Sequence, residues 1–259
     1  MITLKSQREI AQMRNAGQLV AEVHGIVKSM VRPGITTGEI DEVVEDFFAK
    51  HQAEPLFKGY AGTGNVPFPA VTCMSVNEQV VHGIPAKYVL KPGDILSVDT
   101  GCRVNGWCGD AAWTYPVGEI DAESQRLMSA GQEILQVAIA ALGRERKWSA
   151  IATQMMQTAQ RHRFSLVEQF VGHGIGREMH EPPQVPNYTA EALASNDFDI
   201  QPGLVLAVEP MLNAGTSKIR ILKDQWTVVT ADRKRSVHFE HTVAVTAEGP
   251  ILLTQGVGE

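Results

Sequence analysis

The chain has 259 residues, 44% apolar and 20% charged side chains, and a formal net charge of -6, the profile of a folded globular protein rather than a disordered one. Its acidic balance excludes a broad electrostatic grip on nucleic acid, and no apolar run reaches membrane-spanning length. Three cysteines, none in a CxxC pair, exclude a disulfide scaffold or a thiolate zinc site and fit a reducing compartment.

Lys5, Arg8 and Glu9 interrupt the first apolar residues, so no secretory leader is expected and a cytoplasmic setting follows. Ser6 and Glu9 form a capping box. Ile10, Met13, Gly17, Val20, His24, Val27 and Val31 then recur every three or four residues, one face of a long amphipathic helix. RPG at 32–34 stops it. Thr36 and Glu39 open a second helix with Ile40, Val43, Phe47 and Phe48 on its apolar side. Beyond about residue 57 glycine and proline become frequent, and short apolar runs at 69–76 and 95–98 read as strands. The pattern then restarts. Leu127, Ala130, Ile134, Val137 and Ala141 make a third helical stripe, and Ile151, Met155 and Ala159 a fourth, before strand-like texture returns at Leu166. Two local matches in the same order support a duplication: MRNAGQ at 13–18 with LMSAGQ at 127–132, and KPGDILSVD at 91–99 with QPGLVLAVE at 201–209. The chain reads as one α+β domain over 1–259, built of two pseudo-symmetric halves at about 1–120 and 121–259.

Both matched strands end in an acid, Asp99 and Glu209. Asn105 and Gly106 are a strong two-residue hairpin turn. With that loop, Val104 pairs with Trp107 and Gly101 lies opposite Asp110. Asp99 and Asp110 then become diagonal neighbours on one face, at most about 7–8 Å apart, within reach of two ions about 3.5–4 Å apart. A loop one residue longer puts them on opposite faces. Glu240 lies in an alternating strand over 236–245. Val237, Phe239, His241, Val243 and Val245 share one of its faces; His238, Glu240 and Thr242 share the other. Converging carboxylates repel, and their burial costs several kcal/mol unless cations cancel the charge. By spacing alone, exposed strand acids are the commoner arrangement.

The histidines sharpen this. His173 sits among three glycines in VGHGIG at 171–176, where backbone can approach a ligand closely. His180 precedes EPP, and His82 lies in the turn-like VHGIP at 81–85. An oxygen-rich set with an imidazole suits Mn, Fe or Co better than a thiolate zinc arrangement. His24, on the apolar stripe of the first helix, reads as a core residue; His51 and His162 end helices, where a cation favours the dipole.

Taken in order, VHGIP at 81–85, SVD at 97–99, GD at 109–110, GHGIG at 172–176, MHEP at 179–182, EP at 209–210 and FEHT at 239–242 resemble type I methionine aminopeptidases. The resemblance covers essentially the whole chain. The short stretch between His180 and Glu209 leaves no room for the helical insertion of type II enzymes. It implies the pita-bread fold, a curved antiparallel sheet with helices on its outer face, and hydrolytic removal of the initiator methionine from nascent polypeptides, with a small second residue preferred. It further implies two divalent ions, Mn, Fe or Co with Zn also compatible: one on Asp110, His173, Glu209 and Glu240, the other on Asp99, Asp110 and Glu240. Glu209 would move the proton, His180 would polarise the scissile carbonyl, and His82 would contact the scissile amide. Phe68, Cys73, His82, Met179 and Trp226 match the walls of the methionine pocket. Met179 stands where an aromatic is usual and Asn65 where a tyrosine is common. The implied partners are nascent N-termini and a transient ribosome contact, with no nucleic-acid or membrane partner and a monomeric state. X-Pro aminopeptidases, prolidases and metal-free binding modules on the same fold are the competing readings; the intact set Asp99, Asp110, His173, Glu209 and Glu240 argues against the last.

Overall fold

The computed structural model describes residues 1–61, 66–189 and 196–258. Four helices frame it: α1 (Gln7–Met30), α2 (Thr37–Lys50), α3 (Ala122–Leu142) and α4 (Trp148–His162). Both expected capping boxes form. The Ser6 and Thr36 hydroxyls accept from the N–H groups of Glu9 and Glu39, whose carboxylates accept from the cap N–H groups in return. Along α1 the expected stripe is buried from Ile10 to Val27, His24 included; Val31 is the C-cap. His24 Nε2 lies 3.0 Å from the Ala111 carbonyl and Nδ1 2.8 Å from the Tyr115 hydroxyl, so both polar ends are satisfied inside the core.

The second stripe is corrected. The buried face of α2 is Thr37, Ile40, Val44 and Phe48, while Val43 is exposed. Adjacent apolar pairs at 43–44 and 47–48 fit two faces a turn-fraction apart, and packing against Val27, Ile35 and Leu90 in the α1–α2 core selects one.

Gly17 belongs to the α1 stripe for a reason other than hydrophobicity. A Cβ there would lie 2.2 Å from the Leu253 carbonyl oxygen, and one on Gly109 would lie 2.6 Å from the Gly17 nitrogen. Helix and sheet therefore touch backbone to backbone. Gly17→Ala should destabilise the fold by about 3 kcal/mol, the upper end of overpacking, lowering Tm by roughly 6–12 °C for a chain of this size. Thermal unfolding of the two proteins checks this; an unchanged Tm would mean the seam has slack.

Among the described residues the strands fall into four antiparallel groups, the antiparallel α+β arrangement that was expected. The longest pair, Ile95–Val104 with Trp107–Pro116, turns at Asn105 and Gly106, both with positive φ as a two-residue turn requires. Its register is the expected one: Val104 opposite Trp107, Gly101 opposite Asp110. The run at 69–76 narrows to the strand Cys73–Val76, which pairs with the same hairpin and sets Cys73 opposite Asp99.

The strand expected over 236–245 is broken. Ser236–His238 pairs with Met211–Asn213, whereas His241–Thr246 pairs with Val205–Val208 in another sheet. Both chains change sheet at the same level, one at Glu209 and Pro210, the other at Phe239 and Glu240. The Phe239 N–H donates to the Pro210 carbonyl, and the Glu240 N–H leaves for the Ala112 carbonyl. Helices α3 and α4 cover one face of this region. Their apolar residues pack with Val237, Phe239, Val243 and Val245, leaving His238, Glu240 and Thr242 for the opposite side.

Candidate metal centre and its pocket

A cavity of about 360 Å³ opens where the sheets meet. Asp99, Asp110, His173, Glu209 and Glu240 all line it, and so do His82, His180, Phe68, Cys73, Met179 and Trp226. The structure thus brings together every described residue singled out from the sequence. Asn65 lies outside the described residues.

The hairpin register carries Asp99 and Asp110. Asp110 is only 3% exposed, its backbone pinned on both sides by Thr242: the Asp110 N–H donates to the Thr242 hydroxyl, which donates to the Asp110 carbonyl at 2.7 Å. Glu209 and Glu240 enter at the two sheet-changing breaks, where the chain is free to aim them inward. The Asn187 side-chain amide donates to the Glu209 carbonyl at 3.1 Å and fixes one of these bends.

His173 is on the strand Gly172–Gly174, opposite Ala207. Its flanking glycines serve the sheet, not a ligand: a Cβ on Gly172 or Gly174 would meet the Ala207 or Pro182 carbonyl at 2.3 Å. His173 Nδ1 donates to the Gly174 carbonyl at 3.0 Å, which leaves the Nε2 lone pair facing the acids, 3.4 Å from Glu209 Oε1.

The electrostatics of the site favour bound positive charge. Burial pushes Asp110 up to about 7. Burial, reinforced by the neighbouring carboxylates, holds Asp99, Glu209 and Glu240 well above the usual carboxylate range. Burial lowers His173 and His238 to about 3, so both imidazoles are neutral donors. Asp99 Oδ1, Asp110 Oδ1, Glu240 Oε1 and His238 Nε2 are buried with no hydrogen-bond partner among the described residues. Orphaned buried acceptors are rare in folded proteins, and each costs about 1–3 kcal/mol if left so. Divalent cations satisfy all of them at once. Two ligand clusters have donor atoms mutually within 4.8 Å: Asp110, His173 and Glu240, and Glu209, His238 and Glu240. The donor set fits the ions.

Above the acids the walls turn apolar. Phe68 and Trp226 meet edge to face at 5.2 Å, and the His82 ring stands edge-on to Trp226 and Phe170. Met179 is buried beside them in one cluster with Phe68 and Cys73. Burial and the nearby Asp99 and Asp110 keep the Cys73 thiol protonated. His82 has a φ of 58°, a left-handed conformation uncommon for a non-glycine residue.

His180 lies across from His173, ring centres 4.4 Å apart. Its Nδ1 is 3.0 Å from the Tyr60 hydroxyl. With the hydroxyl donating, the ring proton sits on Nε2, free to donate to a substrate oxygen. The loop carrying Met179 and His180 is tied down by Glu181, which pairs with Lys5 Nζ at 2.6 Å; the lysine side chain is 3% exposed. Glu181 also accepts from the Arg177 and Glu178 N–H groups. Sequence reasoning missed Tyr60 and gave His238 no role. The shared face of His238 and Glu240 was the available signal for the second; nothing in spacing marks the first.

A sequence model of metallopeptidase family M24 matches residues 11–247. The chain is 43% identical over 255 residues to methionine aminopeptidase 1 of Bacillus subtilis, covering 98% of this chain and all of that one. It is 44% identical to a methionine aminopeptidase of Clostridium perfringens, over 98% and 99% of the two chains. A methionine aminopeptidase structure from Thermotoga maritima superposes with a TM-score of 0.91 at 39% identity, over 98% and 99% of the chains. A prolidase from Pyrococcus furiosus superposes at 0.77 with 18% identity over 97% of this chain and 65% of that one, a likeness of fold alone.

Proposed function

The chain belongs to metallopeptidase family M24, and on that premise we propose how its residues divide the work of a methionine aminopeptidase. Its activity is hydrolytic release of an N-terminal methionine, and its architecture is the pita-bread α+β fold. Asp110, His173, Glu209 and Glu240 would hold one divalent ion, and Asp99, Asp110 and Glu240 would hold a second. The observation that carries this is the convergence of the buried Asp110 and Glu240 and the half-buried Asp99 and Glu209, three of the four with unpartnered buried oxygens, on the neutral His173 imidazole beneath an apolar pocket.

When bound, the ions supply Lewis acidity and make hydroxide available near neutral pH. The chain's residues do the rest. The pocket formed by Phe68, Cys73, His82, Met179 and Trp226 takes the methionine side chain, its sulfur gaining about 0.3–1.5 kcal/mol per aromatic contact. The free α-amino group of the substrate lies toward Asp99, which restricts cleavage to N-termini. His180 donates from Nε2 to the scissile carbonyl oxygen as negative charge develops there. His82 contacts the scissile amide. Glu209 accepts the proton of the attacking water and delivers it to the departing amine.

The substrates we propose are nascent polypeptides with small second residues, met in the cytoplasm by a monomeric enzyme in transient contact with the ribosome. Mn, Fe or Co are the ions favoured by this oxygen-rich set, with Zn compatible. The test is a paired hydrolysis assay. Chelator-stripped protein, resupplied with Mn, Fe or Co, is offered Met-Ala-Ser and Ala-Pro-Ala side by side. Metal-dependent release of methionine from the first alone is the expected result. Cleavage of the proline peptide instead would move the protein to the X-Pro branch of the fold.

A further inference from the structure

We propose that His238 is a sixth donor of the metal centre, its Nε2 forming with Glu209 and Glu240 a position for a divalent transition ion. The inference rests on the reading of the five ligands above and extends it to a residue outside that set. His238 is 2% exposed and its Nε2 has no partner among the described residues. The other wholly buried imidazoles are served: His24 by Ala111 and Tyr115, His241 by Thr254. A buried ring nitrogen aimed at two acids and bonded to neither needs an acceptor of its lone pair or of its proton.

Distance distinguishes the two. His238 Nε2 lies 3.5 Å from Glu209 Oε2, and His173 Nε2 lies 3.4 Å from Glu209 Oε1. Both exceed the usual N–H···O range of about 2.7–3.2 Å. Both match the separation of two donors sharing one ion at bonds of about 2.0–2.1 Å, which in a tetrahedral arrangement is about 3.4 Å. Glu209 thus stands between two imidazoles, one oxygen toward each. The donor atoms of Glu209, His238 and Glu240 lie within 4.8 Å of one another. The backbone holds His238 there: its N–H donates to the Thr114 hydroxyl, which donates to the His238 carbonyl.

A second nitrogen donor changes which ions the centre prefers. Imidazole raises affinity for Fe, Co, Ni and Zn relative to Mn, which favours oxygen. The test compares chelator-stripped wild type with His238→Gln by calorimetric titration of Mn²⁺ and Co²⁺. The expected result is a loss of roughly 10–100-fold in Co²⁺ affinity with a smaller loss for Mn²⁺, together with a changed Co²⁺ visible spectrum. Proton NMR of the Co²⁺-loaded wild type gives a reading that no variant's folding can confuse. Two strongly shifted imidazole N–H signals are expected, one of them absent in His238→Gln. A single such signal in the wild type, or identical Co²⁺ affinity and spectrum in the variant, would overturn the proposal while leaving the five-ligand reading intact. A wild type that binds neither ion would overturn the five-ligand reading and this one with it.

Discussion

Asp110→Asn should yield a folded protein that retains no stoichiometric divalent ion and releases methionine at least ~10³-fold more slowly, the equivalent of roughly 4 kcal/mol of barrier. Asparagine keeps the shape of the side chain and the clamp from Thr242, which acts on the backbone. What it removes is charge at one of the two residues shared by both proposed ions. The sign of the stability change separates this from misfolding. In stripped protein the four acids are crowded together in a largely desolvated site, with Asp110 raised to about 7 and the others higher than usual. Removing one acid relieves repulsion, so the stripped variant should melt no lower than the stripped wild type. Elemental analysis of the purified variant, its melting curve and the methionine-release assay together check the prediction. Normal turnover would sink the site.

His180→Ala should behave in the opposite way toward metal and the same way toward rate. Its Nδ1 is engaged by Tyr60 and its ring faces His173 rather than the acids. Metal content should therefore be unchanged. Loss of one donor to a developing oxyanion costs about 10²–10³ in kcat, and KM should move far less. Steady-state kinetics beside metal analysis read both quantities. A variant that loses its metal would show that His180 is a ligand instead.

Particular residues explain how much of this was legible in the sequence. The hairpin register was, because Asn105 and Gly106 admit only a short turn with positive φ, and a turn of fixed length fixes which residues face each other. The two sheet-changing breaks were not. The alternation of apolar and polar residues runs straight through Phe239 and Glu240, since both sides of the break are buried; only the departure of the Glu240 N–H to Ala112 reveals it. That break is also what aims Glu240 inward, so the feature hardest to read is the one the site depends on. The α2 stripe was ambiguous within itself and was settled by its neighbours. The site as a whole was legible through the order of its motifs rather than through any single spacing. Its members come from strands far apart in the chain, and periodicity within one strand says nothing about which other strand it will meet. His238 shows the limit: its face was predicted, its proximity to Glu209 was not.

The bridge from Lys5 to Glu181 joins residues 176 positions apart. During synthesis the lysine emerges long before its partner exists. Contacts this far apart in sequence form slowly, because so much chain must be ordered before they are rewarded. The loop that presents Met179 and His180 is therefore anchored among the last parts of the molecule to settle. A chain grown only as far as His180 lacks Glu181 and so cannot yet make this anchor; the imidazole is steadied once the N-terminal segment docks through Lys5.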